Sequence, residues 1–306
     1  MAIFYGGVYM EYIVETENLS KNYSGKLAAN KINMHIQKGD VYGFIGKNGA
    51  GKTTTMKLLL GLIYPTEGSM KLFGSSNLNK GRRKIGSLIE APGIYKNCTA
   101  YENMKRMSLI YGGTDKDIHR ILQYVKLDDV GKRKAGNFSL GMRQRLGIAL
   151  SLLGNPELLI LDEPINGLDP SAIKDVRDVI TDLNQNHGIT FLISSHLLDE
   201  LGKITTRYGI VNDGCLIEEI SADELNKRCT DSMKITVDQP EKAVHILKEQ
   251  FHLYSIEIHE NTLSITSDFE RRAEMNQLLI TSGVSVSDLY LSQDSFENYF
   301  IERIGK

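Results

Sequence analysis

The run Gly46-Lys47-Asn48-Gly49-Ala50-Gly51-Lys52-Thr53 has the residue types and spacing of a loop built to hold phosphates. An apolar strand, Val41-Tyr42-Gly43-Phe44-Ile45, leads into it, and an apolar helix opening at Thr54 follows over residues 54–60. Glycines let successive backbone N–H groups turn inward as an anion nest, and the helix N-terminus behind them adds free N–H groups and its dipole. Lys52 suits the β- and γ-phosphates of a nucleoside triphosphate, and Thr53 suits a Mg²⁺ ion. The strand–loop–helix context separates this run from a glycine-rich turn, so the sequence predicts a chain that binds ATP.

Further along, Asp162-Glu163 ends the continuous apolar run Leu158-Leu159-Ile160-Leu161. Two adjacent acids at the end of a buried strand are costly unless they face a cation or a reacting water. Asp162 suits the Mg²⁺ beside Thr53, and Glu163 suits a general base for an attacking water. In Phe138-Ser139-Leu140-Gly141-Met142-Arg143-Gln144-Arg145, Ser139 is a natural N-cap and Gly141 allows close backbone approach to an anion. A second phosphate-binding helix end is surplus in a single chain that already has one. It makes sense when it covers the nucleotide of a second copy; alone, it equally describes a capped helix with an arginine-rich face.

His196, after Ile193-Ser194-Ser195, sits at a predicted strand end, where an imidazole suits a γ-phosphate and a water. The other histidines read as structural. Tyr23 lies in a polar turn and suits stacking on adenine, though an exposed turn tyrosine looks the same. Asp169, in Asn166-Gly167-Leu168-Asp169-Pro170, suits a helix N-cap, a subunit contact, or both.

These groups need a scaffold, and the composition supplies one. The chain has 306 residues, 41% of them hydrophobic, enough for one large domain and a smaller one. A net charge of −2 gives no general nucleic-acid surface. Its three cysteines, Cys98, Cys215 and Cys229, lack metal-type spacing and read as reduced thiols of a cytosolic protein. No apolar run reaches 18 residues, so no membrane span is expected. Residues 1–11 read as a leader or upstream-start extension, with Met10 opening a more ordinary sequence.

Strand-like runs are expected at 12–19, 32–36 and 41–45, with a polar turn at 20–25, and again at 70–73 and 84–90. Helical periodicity takes over in a helical insert at about 95–155 within an α/β core. The core resumes at 158–161 and continues through strands at 189–194, 208–211 and 215–220. From residue 231, strand, helix, two strands, helix, strand and helix follow, an order that suits a small ferredoxin-like α+β unit at 231–306.

The chain resembles the ATP-binding subunits of ABC transporters over about residues 12–228. The phosphate loop at 46–53, the Ser139-Leu140-Gly141-Met142 signature, the 158–163 strand with its glutamate, Leu168-Asp169 and His196 fall in that family's order. More narrowly, it resembles the bacitracin-resistance and lantibiotic self-protection branch. The pointers are Ser-Leu-Gly-Met-Arg-Gln-Arg-Leu-Gly-Ile-Ala at 139–149, Ile85-Gly86-Ser87-Leu88-Ile89-Glu90, and the C-terminal unit with Asp294-Ser295-Phe296-Glu297-Asn298-Tyr299-Phe300. Against the general pattern, Glu90 replaces a glutamine, Leu140 and Met142 replace Gly and Gln, and Ile165 replaces a threonine. Glutamate keeps an oxygen for Mg²⁺ or water but loses an amide donor and adds charge.

The resemblance implies a P-loop NTPase core of ABC type, α/β with an antiparallel β subdomain and the helical insert, spanning 12–230. It implies an ATPase with ATP and Mg²⁺ as cofactors, working as a head-to-tail pair of copies on a separate transmembrane permease. It would sit at the cytoplasmic face of the membrane and export or clear peptide antibiotics. Rival readings are a transporter motor with unrelated cargo, a soluble ABC ATPase acting on ribosomes or DNA, and a P-loop kinase. A single phosphate loop, the absence of a basic linker or heptad insertion, and the slightly acidic charge weigh against the second. Ser139, Glu163 and His196 together weigh against the kinase.

Overall fold

A computed structural model describes residues 11–229, 232–253, 256–292 and 296–304. The expected extension apart from Glu11, and the positions Asp231, Ser255, Asp294 and Ser295, lie outside the described residues. The chain divides into two compact units, the first ending at Ala222 and the second beginning at Asp223.

The first unit opens with three strands, β1 (Tyr12–Tyr23), β2 (Lys26–Ile32) and β3 (His35–Gln37). The phosphate-loop strand β4 (Val41–Ile45) and helix α1 (Lys52–Leu60) follow, then β5 (Glu67–Leu72), α2 (Leu78–Arg82) and β6 (Ile85–Leu88). The expected polar turn at 20–25 is mostly strand. β1 runs to Tyr23 and folds back through Ser24 and Gly25, at φ 49° and 93°, the left-handed pair that a two-residue hairpin turn requires. β1 pairs antiparallel with β2, β3 and β5 in a four-stranded sheet.

The helical insert contains α3 (Ala100–Tyr111), α4 (Asp115–Tyr124) and α5 (Leu140–Ser151). Capping boxes start two of them, Thr99 with Glu102 and Thr114 with Asp117, which fixes where helix begins. Gly112 and Gly113, at φ 83° and 122°, separate the pair. The core resumes with β7 (Leu158–Asp162), α6 (Pro170–Gln185), β8 (Thr190–Ser195), α7 (Leu198–Gly202), β9 (Arg207–Asn212) and β10 (Cys215–Ser221).

The six-stranded sheet has the order β10-β9-β4-β8-β7-β6, parallel except for β10. β4, β7 and β8 are buried at every position, as strands of a parallel sheet covered on both faces must be, even where β8 carries Thr190, Ser194 and Ser195. This order sets the carboxyl ends of β4, β8 and β7 side by side, the place where open parallel sheets bind ligands.

One partly buried polar cluster ties the first sheet to the second. Tyr42, fully buried, donates its hydroxyl to Glu219 Oε1 at 2.8 Å, and the His35 backbone N–H donates to the same oxygen at 2.9 Å. His35 Nδ1 lies 2.8 Å from Glu219 Oε2, and this bond raises the imidazole pKa above its usual 6.5 against the opposing effect of burial. Glu15 raises it further and Arg207 lowers it. A raised folded pKa stabilises fully below the unfolded value and is lost as pH rises through the folded one. The urea midpoint should therefore fall as pH climbs from 6 towards 8, and His35→Gln should flatten that slope. An unchanged slope in the variant would refute the assignment. Burial also raises the Asp40 carboxyl above its ordinary value, against the hydrogen bonds it accepts from Gln37 and Thr206.

The second unit begins with α8 (Ala222–Arg228), which opens at the boundary, and continues through β11 (Ser232–Val237), α9 (Pro240–Phe251), β12 (Ile256–His259) and β13 (Thr262–Ile265). It closes with α10 (Arg272–Thr281), β14 (Val286–Ser292) and α11 (Phe296–Ile304). Its sheet is antiparallel throughout, in the order β12-β13-β11-β14. That is the ferredoxin-like arrangement expected from the β-α-β-β-α-β run. Met233, Ile235, Leu263 and Ile265 on one face pack with Leu247, Met275 and Leu279 of the helices.

Candidate functional site

At the end of β4 the chain enters the glycine loop. Gly51 sits at φ 102°, and a Cβ there would collide with the Ala28 carbonyl, so position 51 needs glycine on two counts. The next residue is already helical: α1 starts at Lys52 rather than Thr54. Its first turn, including Thr53 and Thr54, therefore belongs to the anion-binding N-terminus itself, where N–H groups have no intrahelical partner.

Lys52 is 6% exposed, a low figure for an ammonium, and it is held by oxygens. Its Nζ donates to Gly46 O at 2.7 Å and Lys47 O at 3.3 Å, and lies 3.4 Å from Glu163 Oε1. The other Glu163 oxygen, Oε2, is 2.9 Å from His196 Nδ1. Glu163 thus bridges the loop lysine and the histidine at the end of β8. Its backbone is left-handed, at φ 49°, which is rare for a side-chain-bearing residue and common at functional sites.

Thr53 Oγ1 donates to Asp162 Oδ2 at 2.8 Å. A hydroxyl and a carboxylate at that spacing fit a hard cation that takes its remaining oxygens from phosphate and water. No group of three or more Asp, Glu, His or Cys side chains able to hold a metal occurs among the described residues.

Glu90 stands at φ 63° just beyond β6 and pairs with Lys57 Nζ at 2.8 Å. Lys57 lies one turn beyond Thr53 on α1. Its hydrogen bond holds the Glu90 carboxyl below the usual carboxylate range, so the charge that this glutamate adds is matched on the spot. Nothing in the residue pattern around Glu90 had pointed to Lys57. Tyr23, half exposed at the hairpin tip, has Lys21 Nζ 5.2 Å from its ring centre.

The signature helix end is built differently from the loop. Ser139 caps α5 by accepting the Met142 N–H at 3.2 Å and stays exposed, as does Leu140. A Cβ on Gly141 would stand 2.6 Å from Ala172 Cβ, so packing against α6 already demands glycine there. The arginine-rich face expected beyond it is occupied. Arg143 donates to Phe138 O, and Arg145, 12% exposed, donates to the Val125 and Lys126 carbonyls that end α4. Asp169 caps α6, accepting the Ala172 N–H at 2.9 Å.

Of the residues singled out in the sequence, Lys52, Thr53, Asp162, Glu163 and His196 converge on one mouth. Glu90 lies at its rim. Ser139, Gly141 and Asp169 lie at the starts of α5 and α6, where Ser139 and Asp169 cap the helices and Gly141 packs against Ala172. The sequence reading missed Ser194, which donates to Asp162 Oδ1 at 2.6 Å and accepts the Glu163 N–H at 2.8 Å.

A phosphate loop on a parallel sheet, an acid pair at the neighbouring strand end and a helical insert define a P-loop ATPase of the cassette type. The chain belongs to the ATP-binding subunits of ABC transporters, proteins that hydrolyse ATP. The ABC transporter family matches residues 29–166. The chain is 40% identical over 300 residues to a bacitracin transport ATP-binding protein of Enterococcus faecalis, covering 97% of both. A lantibiotic transport ATP-binding protein of Streptococcus pyogenes is 44% identical over 211 residues, covering 69% of this chain and 92% of that one. Among solved structures, a nucleotide-free cassette of an ABC transporter superposes with a TM-score of 0.65 at 26% identity, covering 71% of this chain and 94% of that one. A dimeric cassette in a post-hydrolysis state, bound to ADP and Pi, gives 0.61 at 25% identity, covering 68% and 98%.

Proposed function

We propose that this chain is the motor of a transporter that exports or clears peptide antibiotics of the bacitracin or lantibiotic kind. The carrying observation is the alignment with the bacitracin transport relative over 97% of both chains, which takes in the C-terminal unit that the lantibiotic relative is too short to match in full. Two copies face head to tail, and each phosphate loop is covered by the exposed Ser139 helix end and Gly141 of the other. The arrangement gives the uncovered end of α5 a partner, and the dimeric cassette among the structural relatives supports it.

Within each site, Lys52 and the loop N–H groups bind the triphosphate, and Tyr23 stacks on adenine. Thr53 and Asp162 hold Mg²⁺, with Glu90 near the rim. A magnesium ion held by Thr53 and Asp162 would supply neutralisation of the phosphate charge. Glu163 accepts the proton of the attacking water, and His196 holds Glu163 through Nδ1. Product formation removes the bridge between the copies and lets them part.

No helix among the described residues is long and apolar enough to cross a membrane; in this reading a permease supplies the path. We place it on the helical insert, where Leu109, Ile110 and Tyr111 are exposed at 82%, 72% and 57%. The chain would then work at the cytoplasmic face.

The test is a deletion strain challenged with bacitracin-like and lanthionine-containing peptides. Sensitivity should rise for these and barely move for small hydrophilic drugs, and a Glu163→Gln copy should fail to rescue. Unaltered tolerance to a broad peptide panel overturns the cargo and leaves the ATPase standing. Glu90→Gln probes coupling: freeing Lys57 at the rim should lower protection several-fold more than it lowers purified ATPase turnover. Equal losses in both assays would remove Glu90 from the coupling path.

A further inference from the structure

Ser194 has no role in the site as derived so far, yet it is fully buried and touches both acids. The register of β7 against β8 sets it directly across from Asp162. A serine hydroxyl has one proton and two lone pairs. The proton goes to Asp162 Oδ1, at 2.6 Å, and a lone pair receives the Glu163 N–H, at 2.8 Å. The Asp162 bond has the short length of a hydroxyl held by a carboxylate. The Glu163 bond secures a backbone at φ 49° that few side-chain-bearing residues adopt.

We propose that Ser194 is a positioning residue that sets both acids from a single hydroxyl. By fixing Oδ1 of Asp162, it leaves Oδ2 turned towards Thr53, the oxygen available to a divalent cation. By holding the Glu163 N–H, it fixes the strained turn that carries the carboxylate between Lys52 and His196. His196 follows the last residue of β8, and its Nδ1 lies 2.9 Å from Glu163 Oε2. The end of β8 therefore grips Glu163 twice, through its backbone at residue 194 and through its side chain at residue 196. The inference rests on reading Thr53 and Asp162 as the cation ligands.

The experiment uses the full-length chain as parent, Ser194→Ala, Ser194→Thr and Thr53→Ala, with binding of a fluorescent ATP analogue measured in EDTA and across a Mg²⁺ titration. Ser194→Ala should bind the analogue in EDTA within about twofold of the parent, since Lys52 and the loop are untouched. Its half-saturating Mg²⁺ concentration should rise about tenfold, and kcat should fall 10- to 100-fold with a smaller change in KM, the range for removing an outer-shell partner. Ser194→Thr, which keeps the hydroxyl, should recover most of the Mg²⁺ response.

An unchanged Mg²⁺ response in Ser194→Ala, or equal impairment in Ser194→Thr, overturns the proposal. Thr53→Ala separates the two layers. If it too keeps the full response, the cation reading has failed; if it loses the response and Ser194→Ala does not, only Ser194 has failed. Should Ser194→Ala lack a cooperative melt, Ser194→Cys replaces it. The weak thiol donor should shift the Mg²⁺ midpoint relative to Ser194→Thr, and coincident curves overturn the proposal.

Discussion

Replacing Glu163 by glutamine is expected to leave ATP binding intact while slowing hydrolysis by roughly 10²–10⁴-fold, the range for losing a positioned base. The amide keeps the length and shape of the side chain but has one acceptor oxygen in place of two, so it can no longer accept from both Lys52 and His196. Lys52 loses a carboxylate neighbour at 3.4 Å, which leaves the mouth more cationic and, if anything, more receptive to phosphate. With the γ-phosphate persisting, the variant should accumulate as an ATP-bound dimer. Gel filtration with MgATP checks this: a monomer peak alongside normal turnover would remove Glu163 from the role of base.

Lys52→Ala should act earlier and weaken nucleotide binding itself by about 10²-fold or more, because a charge-assisted contact to phosphate is among the strongest in the site. The lysine is already seated among loop oxygens, so its ammonium reaches the ligand with little ordering left to do. Ser139→Ala should spare binding to the single chain and impair closure of the pair, since the Ser139 end of α5 is exposed within its own chain. Mixing the two variants discriminates: a pair built in trans retains at most one intact composite site. Equal loss of monomer binding in both variants, by isothermal titration, would refute this division of labour.

Where the chemistry rests on a local pattern, the sequence was legible. The phosphate loop is a contiguous run between an apolar strand and a helix, and the acid pair ends an apolar strand, so Lys52, Thr53, Asp162 and Glu163 needed no tertiary information. The ferredoxin-like unit was legible through the alternation of its strands. Other features depend on what lies opposite. β2, Lys-Leu-Ala-Ala-Asn-Lys-Ile, has no clean alternation, and pairing with β1 and a hydrogen bond from Asn30 N to Gly214 O hold it in place. Ser194 and Lys57 are ordinary residue types whose meaning comes from Asp162 across the register and Glu90 across a loop. The fixed places of Gly141 and Arg145 likewise come from α6 and the end of α4.

The buried tyrosine of β4 bears on how this sequence is free to drift. The Tyr42 hydroxyl fills the space that a side chain at Gly209 would need, and its proton is taken by Glu219. Three positions far apart in the chain therefore constitute one heritable unit. In an alignment of relatives, loss of the phenol at 42 should open 209 to residues larger than glycine, while 219 should stay acidic wherever His35 is kept. A lineage that altered 209 first would pass through a clash, so substitutions should be ordered, with 42 changing before its neighbour.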